Sequence, residues 1–257
     1  MRDLGLSEAI RVAGGVGQLA RQIGISQPSV SNWVRVPAER VISVEAATGV
    51  DRAVLRPDLY GAKMAGDIDE LDTARAQEYA LIATLLARAP DAALLSRLSE
   101  LRADASPLGL AHAALAEAAE KTTAERVERE YFDLFIGLGR GELLPYGSYY
   151  LTGFLHERPL ARLREDLSKI GIARAEGVVE PEDHAAILCE IMSGLVSRRL
   201  PAPAESDRII FDKHMASWIG RFFTDLEHAE AADFYRQLGT LGRVFIDIEA
   251  EAFDLPS

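Results

Sequence analysis

Hydrophobic positions recur at helical spacing through most of this chain. Three stretches beyond residue 70 show the pattern most clearly: Tyr79, Ile82 and Leu86; Ile187, Leu188, Ile191, Met192 and Leu195; and Phe234, Leu238, Leu241, Phe245 and Ile248. Residues three or four positions apart share one face of an α-helix, so each stretch predicts a helix with one apolar face. The alternating pattern of a half-buried strand is missing from the sequence. We therefore predict an all-α protein.

The pattern changes near Gly61–Gly66, where a proline-containing segment ending at Tyr60 gives way to small residues. Small residues between two periodic stretches are typical of a connection between domains. We predict a small helix-turn-helix domain at 1–61, a linker at 62–69 and a larger all-helical domain at 70–257.

Two helix boundaries are predicted inside the larger domain. Thr122-x-x-Glu125 has the spacing of a capping box and opens the helix that carries Tyr131 to Phe135. Gly171 closes the helix that contains Leu160 to Ile170, since glycine adopts the left-handed conformation that often ends a helix.

Residues 16–33 fit the helix-turn-helix geometry. The inner face is predicted to comprise Leu19, Ala20, Ile23, Ile25, Val30 and Trp33, with Gly24 in the turn. Ser26 is suited to cap the second helix, and Pro28 is tolerated in its first turn. The side chains left outward are predicted to be Gln27, Ser29, Asn32 and Arg35, and Gln and Asn are side chains that read adenine edges in a major groove.

The sequence after this motif contains Arg35-Val-Pro37-Ala-Glu-Arg40, Glu45-x-x-Thr48-Gly49 and Arg56-Pro57-Asp58. Residues 4–60 thereby resemble the small Cro/YdaS-type DNA-binding proteins. The resemblance implies that Thr48-Gly49 closes a helix and that Leu55–Leu59 caps the domain. Fold alone does not decide function, so the domain either binds DNA or is a stable appendage or docking surface that binds no DNA.

The charge is distributed unevenly along the chain. The formal net charge is -12, yet residues 1–61 hold seven Arg and six acidic residues, which leaves -13 for the remainder. Phosphate neutralisation supplies most non-specific DNA affinity, and a domain of charge +1 offers few phosphate contacts. DNA binding would therefore require a homodimer.

Composition restricts the class of protein further. The sequence has 257 residues, is 48% hydrophobic, and lacks the uncharged apolar run of about 18 residues that a membrane helix needs. Acidic residues near the N-terminus are atypical of a signal peptide, so we expect a cytoplasmic protein. Cys189 is the single cysteine, which excludes an intrachain disulfide and a cysteine-based metal cluster, and no metal site is predicted.

Three motifs in the larger domain point to one family. They read Glu130-Tyr131-x-x-Leu134-Phe135-x-Gly137, then Pro145-Tyr146-x-Ser148-x-Tyr150-Leu151, then Glu180-Pro181-x-Asp183-His184. From about Ala74 to Phe253 the chain resembles the TorD/DmsD chaperones that mature molybdenum-containing redox enzymes. The resemblance implies an all-helical TorD-like fold and no catalytic activity. It also implies binding of an apo-molybdoenzyme or its twin-arginine signal peptide until the cofactor is loaded.

The client class stays open among formate dehydrogenase and the dimethyl-sulfoxide or trimethylamine-oxide reductases. The resemblance places Tyr146, Ser148, Glu180, Pro181, Asp183 and His184 in the client-binding surface. A twin-arginine signal joins a cationic start to an apolar stretch, so its receptor needs an acidic rim beside an apolar groove.

Glu180, Glu182 and Asp183 are predicted to lie in the first turn of a helix opened by Pro181 that continues into the apolar face at Ile187. Each acid has an alternative role in complementing the helix dipole. The alternative role for His184 is structural: a hydrogen-bonded histidine at the edge of the core.

Other residues in these motifs have structural alternatives as well. Tyr146 either lines the groove or fixes its loop to the core. Tyr131, Leu134 and Phe135 favour the core over the groove. The stripe of Phe211, His214, Trp218 and Phe222 is interpreted as core packing with one polar contact.

Motifs of catalysis and cofactor binding are missing from the sequence. Gly137-Leu-Gly139-Arg-Gly141 lacks the spacing of a dinucleotide-binding loop, and Cys189 and His184 lie five residues apart on different faces of one helix. We predict no enzyme and no cofactor. The favoured function is a maturation chaperone with an appended module; the alternative is a transcription regulator that senses apo-enzyme through its chaperone-like domain.

Overall fold

The computed structural model describes residues 2–56, 69–102, 104–174 and 180–254. The chain divides into two compact units, Met1–Asp67 and Ile68–Ser257. The predicted boundary at Gly61–Gly66 and residues 57–59 of the predicted cap lie outside the described residues, as does the predicted linker apart from Asp69. Every regular element in the described ranges is helical, so the all-α prediction is confirmed.

The smaller unit consists of short helices around its own core. They are α1 (Leu4–Ala13), α2 (Val16–Gln22), α3 (Gln27–Ser31), α4 (Val41–Thr48) and α5 (Arg52–Leu55), with a 3-10 turn at Ala38–Arg40 before α4. The core is formed by Leu6, Ala9, Leu19, Ala20, Val30, Val36, Val41, Val44, Val50 and Leu55. Each helix contributes one apolar face to this cluster, which holds the small unit together.

The predicted turn of the helix-turn-helix is present. Gly24 has a φ of 70° in the left-handed region, and the Oγ of Ser26 accepts a hydrogen bond from the backbone N–H of Ser29 at 3.4 Å. The helix is shorter than predicted, because α3 ends at Ser31 and leaves Asn32 and Trp33 in the following segment. The Thr48-Gly49 helix end is confirmed, since Gly49 has a φ of 70° directly after α4.

The larger unit is built from longer helices. They are α6 (Glu70–Ala87), α7 (Ala92–Leu98), α8 (Pro107–Lys121), α9 (Ala124–Tyr131), α10 (Gly147–Thr152), α11 (Arg158–Lys169), α12 (Ala185–Val196), α13 (Ser206–His214), α14 (Ile219–His228) and α15 (Phe234–Asp254). A π-helical turn at Phe132–Ile136 continues α9. Helix α12 packs along α6, and α15 packs against both α14 and α8.

Close approach of α14 and α15 depends on two glycines. A Cβ at Gly242 would lie 2.2 Å from the ring of Phe223, and one at Gly239 would lie 2.5 Å from the backbone nitrogen of Glu227. Neither position has room for a larger residue, so these glycines set the distance between the two helices.

The structure shifts one predicted boundary by a residue and confirms another. Thr123, not Thr122, caps α9, because its Oγ1 accepts from the N–H of Arg126 while Thr122 ends α8. Gly171 does end α11: its φ is 76°, and the N–H of Ile172 reaches back to the carbonyl of Leu167 at 2.9 Å.

Candidate functional site

Two of the sequence motifs meet in the larger unit through backbone hydrogen bonds. The N–H of Gly147 donates to the carbonyl of Asp183 at 2.9 Å, and the N–H of Ala185 donates to the carbonyl of Pro145 at 2.8 Å. These bonds form an isolated antiparallel bridge between Tyr146 and His184. We call residues 145–148 and 183–186 the clasp, since it joins two segments that lie far apart in the sequence.

Asp183 is a buried capping residue within the clasp. Its side chain is 3% exposed, and Oδ2 accepts a hydrogen bond from the backbone N–H of Ser148 at 2.7 Å. That bond satisfies a free N–H at the start of α10. The remaining oxygen, Oδ1, and the Oγ of Ser148 have no hydrogen-bond partner. The side chain of Asp183 is therefore already engaged as a cap, and its place in the client-binding surface stays a prediction. A substitution here would affect folding as well as any binding.

His184 is the N-cap of α12 and not a residue of the helix. Its Nδ1 accepts a hydrogen bond from the N–H of Ala186 at 3.0 Å, so the neutral ring carries its proton on Nε2. Burial lowers the pKa of His184. The predicted helix start at Pro181 is wrong, because the segment from Pro181 to Asp183 forms a turn and α12 begins at Ala185. The alternative of a histidine at the edge of the core agrees with this position.

Tyr146 spans from the clasp to the protein surface. Its ring meets the ring of His184 edge-on with centroids 4.9 Å apart, and its hydroxyl donates to the Oε2 of Glu180 at 2.7 Å. Burial and the hydrogen bond to Glu180 raise the pKa of the phenol. The phenol therefore stays protonated and holds the exposed carboxylate of Glu180 in place.

The predicted acidic rim is divided by the tertiary structure. Glu182 is buried, and its Oε2 accepts from the Nε of Arg164 at 2.8 Å. Glu180 and Glu190 are exposed, and neither pairs with a cation among the described residues. Of the three predicted rim acids, only Glu180 is therefore open to a ligand, because Glu182 is paired with Arg164 and Asp183 caps α10. Glu190, which the sequence did not predict in the rim, is exposed as well.

An apolar groove runs between α11 and α12, beside the clasp. Its volume is about 460 Å³. Apolar side chains that line it are Leu167, Ile172, Ile187, Ile191 and Leu200. Charged side chains at its edge are Arg164, Arg174, Glu180, Glu182, Glu190 and Arg199. The groove therefore combines an apolar floor with charges of both signs.

The sequence did not predict the side of this groove that α11 and Leu200 form. The sequence predicts only that Leu167 lies in a helix that ends at Gly171, and it predicts no role for Arg164 or Leu200. The heptad-like pattern of α11 showed which face is apolar, yet nothing in it showed which helix lies opposite.

The aromatic residues of the first motif lie at the edge of the core. Leu134 is fully buried, whereas Tyr131 and Phe135 are partly exposed and pack against the ring of Tyr235. The charge of Glu180 contributes to raising the pKa of Tyr131, after the larger effect of burial. Tyr131 is thus within electrostatic range of the Tyr146–Glu180 pair.

The stripe from Phe211 to Phe222 is core packing, as predicted. Phe211, Trp218 and Phe222 are buried, and the Nε1 of Trp218 donates to the carbonyl of His214 at 2.6 Å. The Nε2 of His214 lies 3.1 Å from the Oδ2 of Asp166, which supplies the expected polar contact.

The four predicted DNA-reading side chains of the smaller unit are exposed. Gln27 and Ser29 lie on α3, and Asn32 and Arg35 lie in the segment that follows it. The Oγ of Ser29 is 2.7 Å from the Oγ of Ser26, so Ser29 is partly engaged in capping the helix. Two of the four residues therefore lie outside α3.

Known proteins resemble both units. Residues 101–224 match the family model described as nitrate reductase delta subunit, and residues 6–64 match the one described as bacterial toxin YdaS. The chaperone protein TorD of Vibrio cholerae serotype O1 is 27% identical over 134 residues, which are 49% of this chain and 61% of that protein. TorD of Aliivibrio fischeri is 26% identical over 48% of this chain and 61% of its own length. The predicted TorD-like and YdaS-like resemblances are confirmed.

The TorD-like unit spans about 61% of the length of these curated relatives. A solved structure from Archaeoglobus fulgidus, assigned to redox enzyme maturation, covers 68% of this chain and 93% of its own, at 21% identity and a TM-score of 0.44.

Within the described residues, no helix is both long and apolar enough to cross a membrane. The same ranges contain no group of three or more His, Cys, Asp or Glu side chains arranged to hold a metal ion.

Proposed function

We propose that the TorD-like unit is a maturation chaperone that binds a molybdoenzyme precursor through its twin-arginine signal peptide. The observation that carries this proposal is the apolar groove between α11 and α12, bordered by the exposed carboxylates of Glu180 and Glu190, which form no ion pair within the described residues. An arginine guanidinium bonds to a carboxylate through two N–H groups, and the apolar stretch of the peptide would lie on the groove floor.

The remaining motif residues have supporting roles in this proposal. Tyr146 holds Glu180 in place, and the clasp formed around Pro145, Ser148, Asp183 and His184 fixes Tyr146 beside the groove. Pro181 lies in the turn that connects Glu180 to the clasp. The relatives named TorD are chaperones, which agrees with a binding protein that performs no catalysis. We propose that the client is a formate dehydrogenase or a dimethyl-sulfoxide or trimethylamine-oxide reductase. The chaperone would act on it in the cytoplasm.

We predict that Glu180→Gln and Glu190→Gln each weaken binding of a twin-arginine signal peptide to the full chain by about 1–3 kcal/mol, the range for a charge-assisted hydrogen bond. Glutamine at 180 still accepts the bond from Tyr146, so the substitution removes charge and preserves shape. Isothermal titration calorimetry measures the effect, which should shrink as salt rises.

The matched control is Glu117→Gln, an exposed glutamate on α8 that pairs with Lys121 and lies outside the groove. It should leave the affinity unchanged, and a peptide with two lysines should bind the native chain more weakly than the arginine peptide. Failure to bind any molybdoenzyme signal peptide or apo-enzyme would contradict the chaperone proposal.

A second proposal concerns the smaller unit, which we propose binds DNA as a homodimer. Its support is the exposure of four side chains, Gln27, Ser29, Asn32 and Arg35. The left-handed Gly24 between α2 and α3 also forms the turn expected of a helix-turn-helix. Combined with the first proposal, DNA binding would make the protein a transcription regulator that senses unassembled enzyme. A docking role without DNA is the alternative.

We predict that the combined variant Gln27→Ala and Asn32→Ala loses sequence preference on the promoter of the protein's own gene cluster. Neither side chain belongs to the core of the unit, so the fold should persist. Gel-shift titrations at low salt, with and without signal peptide, measure the preference, and circular dichroism checks the fold. If the native chain shifts no promoter fragment under either condition, the smaller unit is a docking domain.

A further inference from the structure

A second surface of the larger unit lies outside the clasp and its groove. It displays large apolar side chains at the end of the π-helical turn, on the loop after it, on α10 and on the turn that follows α10. These side chains are Ile136, Leu138, Leu151, Phe154 and Leu155. Leu138 is 97% exposed, which is unusual for an apolar residue. Large apolar side chains exposed near one another are typical of an interaction surface, and the loop and α10 both line one cavity.

The loop that presents Leu138 is fixed by its backbone. Gly137 and Gly139 have φ angles of 61° and 93°, and a Cβ at Gly141 would lie 2.5 Å from the carbonyl carbon of Phe135. The N–H of Leu143 donates to the carbonyl of Leu134 at 2.8 Å and ties the loop to the π-helical turn. The glycines therefore fold the loop tightly and leave Leu138 at its tip.

The turn after α10 is fixed in a similar way. Gly153 and His156 have φ angles of 82° and 61°, and the Oγ1 of Thr152 accepts from the N–H of Phe154 at 3.2 Å. This turn presents Phe154 and Leu155 to solvent. Two rigid turns thus display the apolar surface.

A cavity of about 410 Å³ between the loop and α10 contains two arginines. The guanidinium of Arg140 lies 5.2 Å from the ring centroid of Tyr149 and donates to its hydroxyl at 2.6 Å. The guanidinium of Arg221 lies 5.1 Å from the ring centroid of Tyr150 and donates to the carbonyl of that residue. Stacking and hydrogen bonding hold both guanidinium groups in place.

Neither Arg140 nor Arg221 forms an ion pair with a carboxylate of the described residues. The two acids that line the cavity already accept hydrogen bonds. Asp225 accepts from the hydroxyl of Tyr150 at 2.9 Å, and Glu142 accepts from the backbone N–H groups of Glu230 and Ala231. Two unpaired guanidinium groups therefore stand in a unit whose net charge is strongly negative.

We propose that the Arg140–Arg221 cavity is a docking site for an acidic peptide segment, in which a Glu or Asp side chain is flanked by large apolar residues. The two guanidinium groups bind the carboxylate, and the exposed Leu138 and Phe154 receive the apolar neighbours. A single carboxylate suits this site better than a nucleic acid, because the net negative charge of the chain beyond residue 61 repels an extended run of phosphates. The site is separate from the groove between α11 and α12.

The test uses the full chain and two capped pentapeptides, acetyl-Ser-Leu-Glu-Phe-Ser-amide and its Gln analogue. NMR follows the Nε–H signals of Arg140 and Arg221 during titration. We expect saturable shifts with the Glu peptide and an affinity at least tenfold higher than that of the Gln peptide. The double variant Arg140→Gln and Arg221→Gln should lose this tenfold preference, while Arg97→Gln, an exposed arginine on α7, should retain it.

Equal affinity for the Glu and Gln peptides, or the lack of saturable shifts, would overturn the proposal. Single-stranded DNA that competes more tightly than the Glu peptide would also overturn it, since the occupant would then be a nucleic acid. Signals that change with protein concentration, together with a dimer in sedimentation, would show that the occupant is a second copy of the chain. Binding of the twin-arginine peptide should be unaffected by the double variant, so the outcome here is independent of the groove between α11 and α12.

Discussion

Trp218→Ala is expected to unfold the larger unit at a lower denaturant concentration, with a loss of about 3–5 kcal/mol in the free energy of unfolding. The indole is 1% exposed and lies against Tyr150 and Phe222, with ring centroids 5.5 and 6.4 Å away. It also packs on Gly147, where an added Cβ would lie 3.0 Å from Nε1. Removing the indole leaves a cavity next to the clasp. It also leaves the carbonyl of His214 without the hydrogen bond that Nε1 of Trp218 donates.

Urea unfolding followed by circular dichroism measures this loss. Leu138→Ala is the control, because an apolar side chain that is almost fully exposed contributes little packing energy and should change the free energy of unfolding by less than about 0.5 kcal/mol. A Trp218→Ala variant as stable as the native chain would show that the stripe from Phe211 to Phe222 is not part of the core.

Glu249→Ala, in the last helix, is expected to lower the free energy of unfolding by about 3 kcal/mol. Glu249 is buried, and its oxygens accept from the Nε and Nη2 of Arg75 at 2.7 and 2.9 Å and from the hydroxyl of Tyr79 at 2.9 Å. Removing one partner of a buried ion pair leaves the other charge without compensation, which costs about 3–5 kcal/mol. The lower end applies because Arg75 keeps contacts with Asp72 and Asp207.

Glu227→Ala provides a comparison of the same chemistry with less burial. Its carboxylate accepts from the Nε of Arg243 at 2.8 Å between the neighbouring helices α14 and α15, where the arginine is one-third exposed. Solvent screens such a pair, so the expected loss is about 1 kcal/mol or less. Equal losses for the two variants in parallel urea titrations would contradict the proposed role of burial.

Helix periodicity predicted the elements of the larger unit but not every contact they make. On α15, Phe234, Leu238, Leu241 and Phe245 are buried as predicted, whereas Ile248 is 42% exposed and the neighbouring Glu249 is 1% exposed. A sequence pattern assigns the apolar face by residue type. The arginine on α6 that makes burial of Glu249 favourable is 174 positions away, and only folding brings it near.

The sequence by itself determined the all-helical class, the helix-turn-helix and the motifs that carry the family resemblance, because these depend on local spacing and residue type. The tertiary structure decided which motif acids are available to a ligand. Glu182 is paired with Arg164 of α11, and Asp183 is buried as a cap for α10. Glu180 stays exposed and accepts a hydrogen bond from the hydroxyl of Tyr146. Those three outcomes depend on side chains from other elements of the chain, whose positions no local pattern contains.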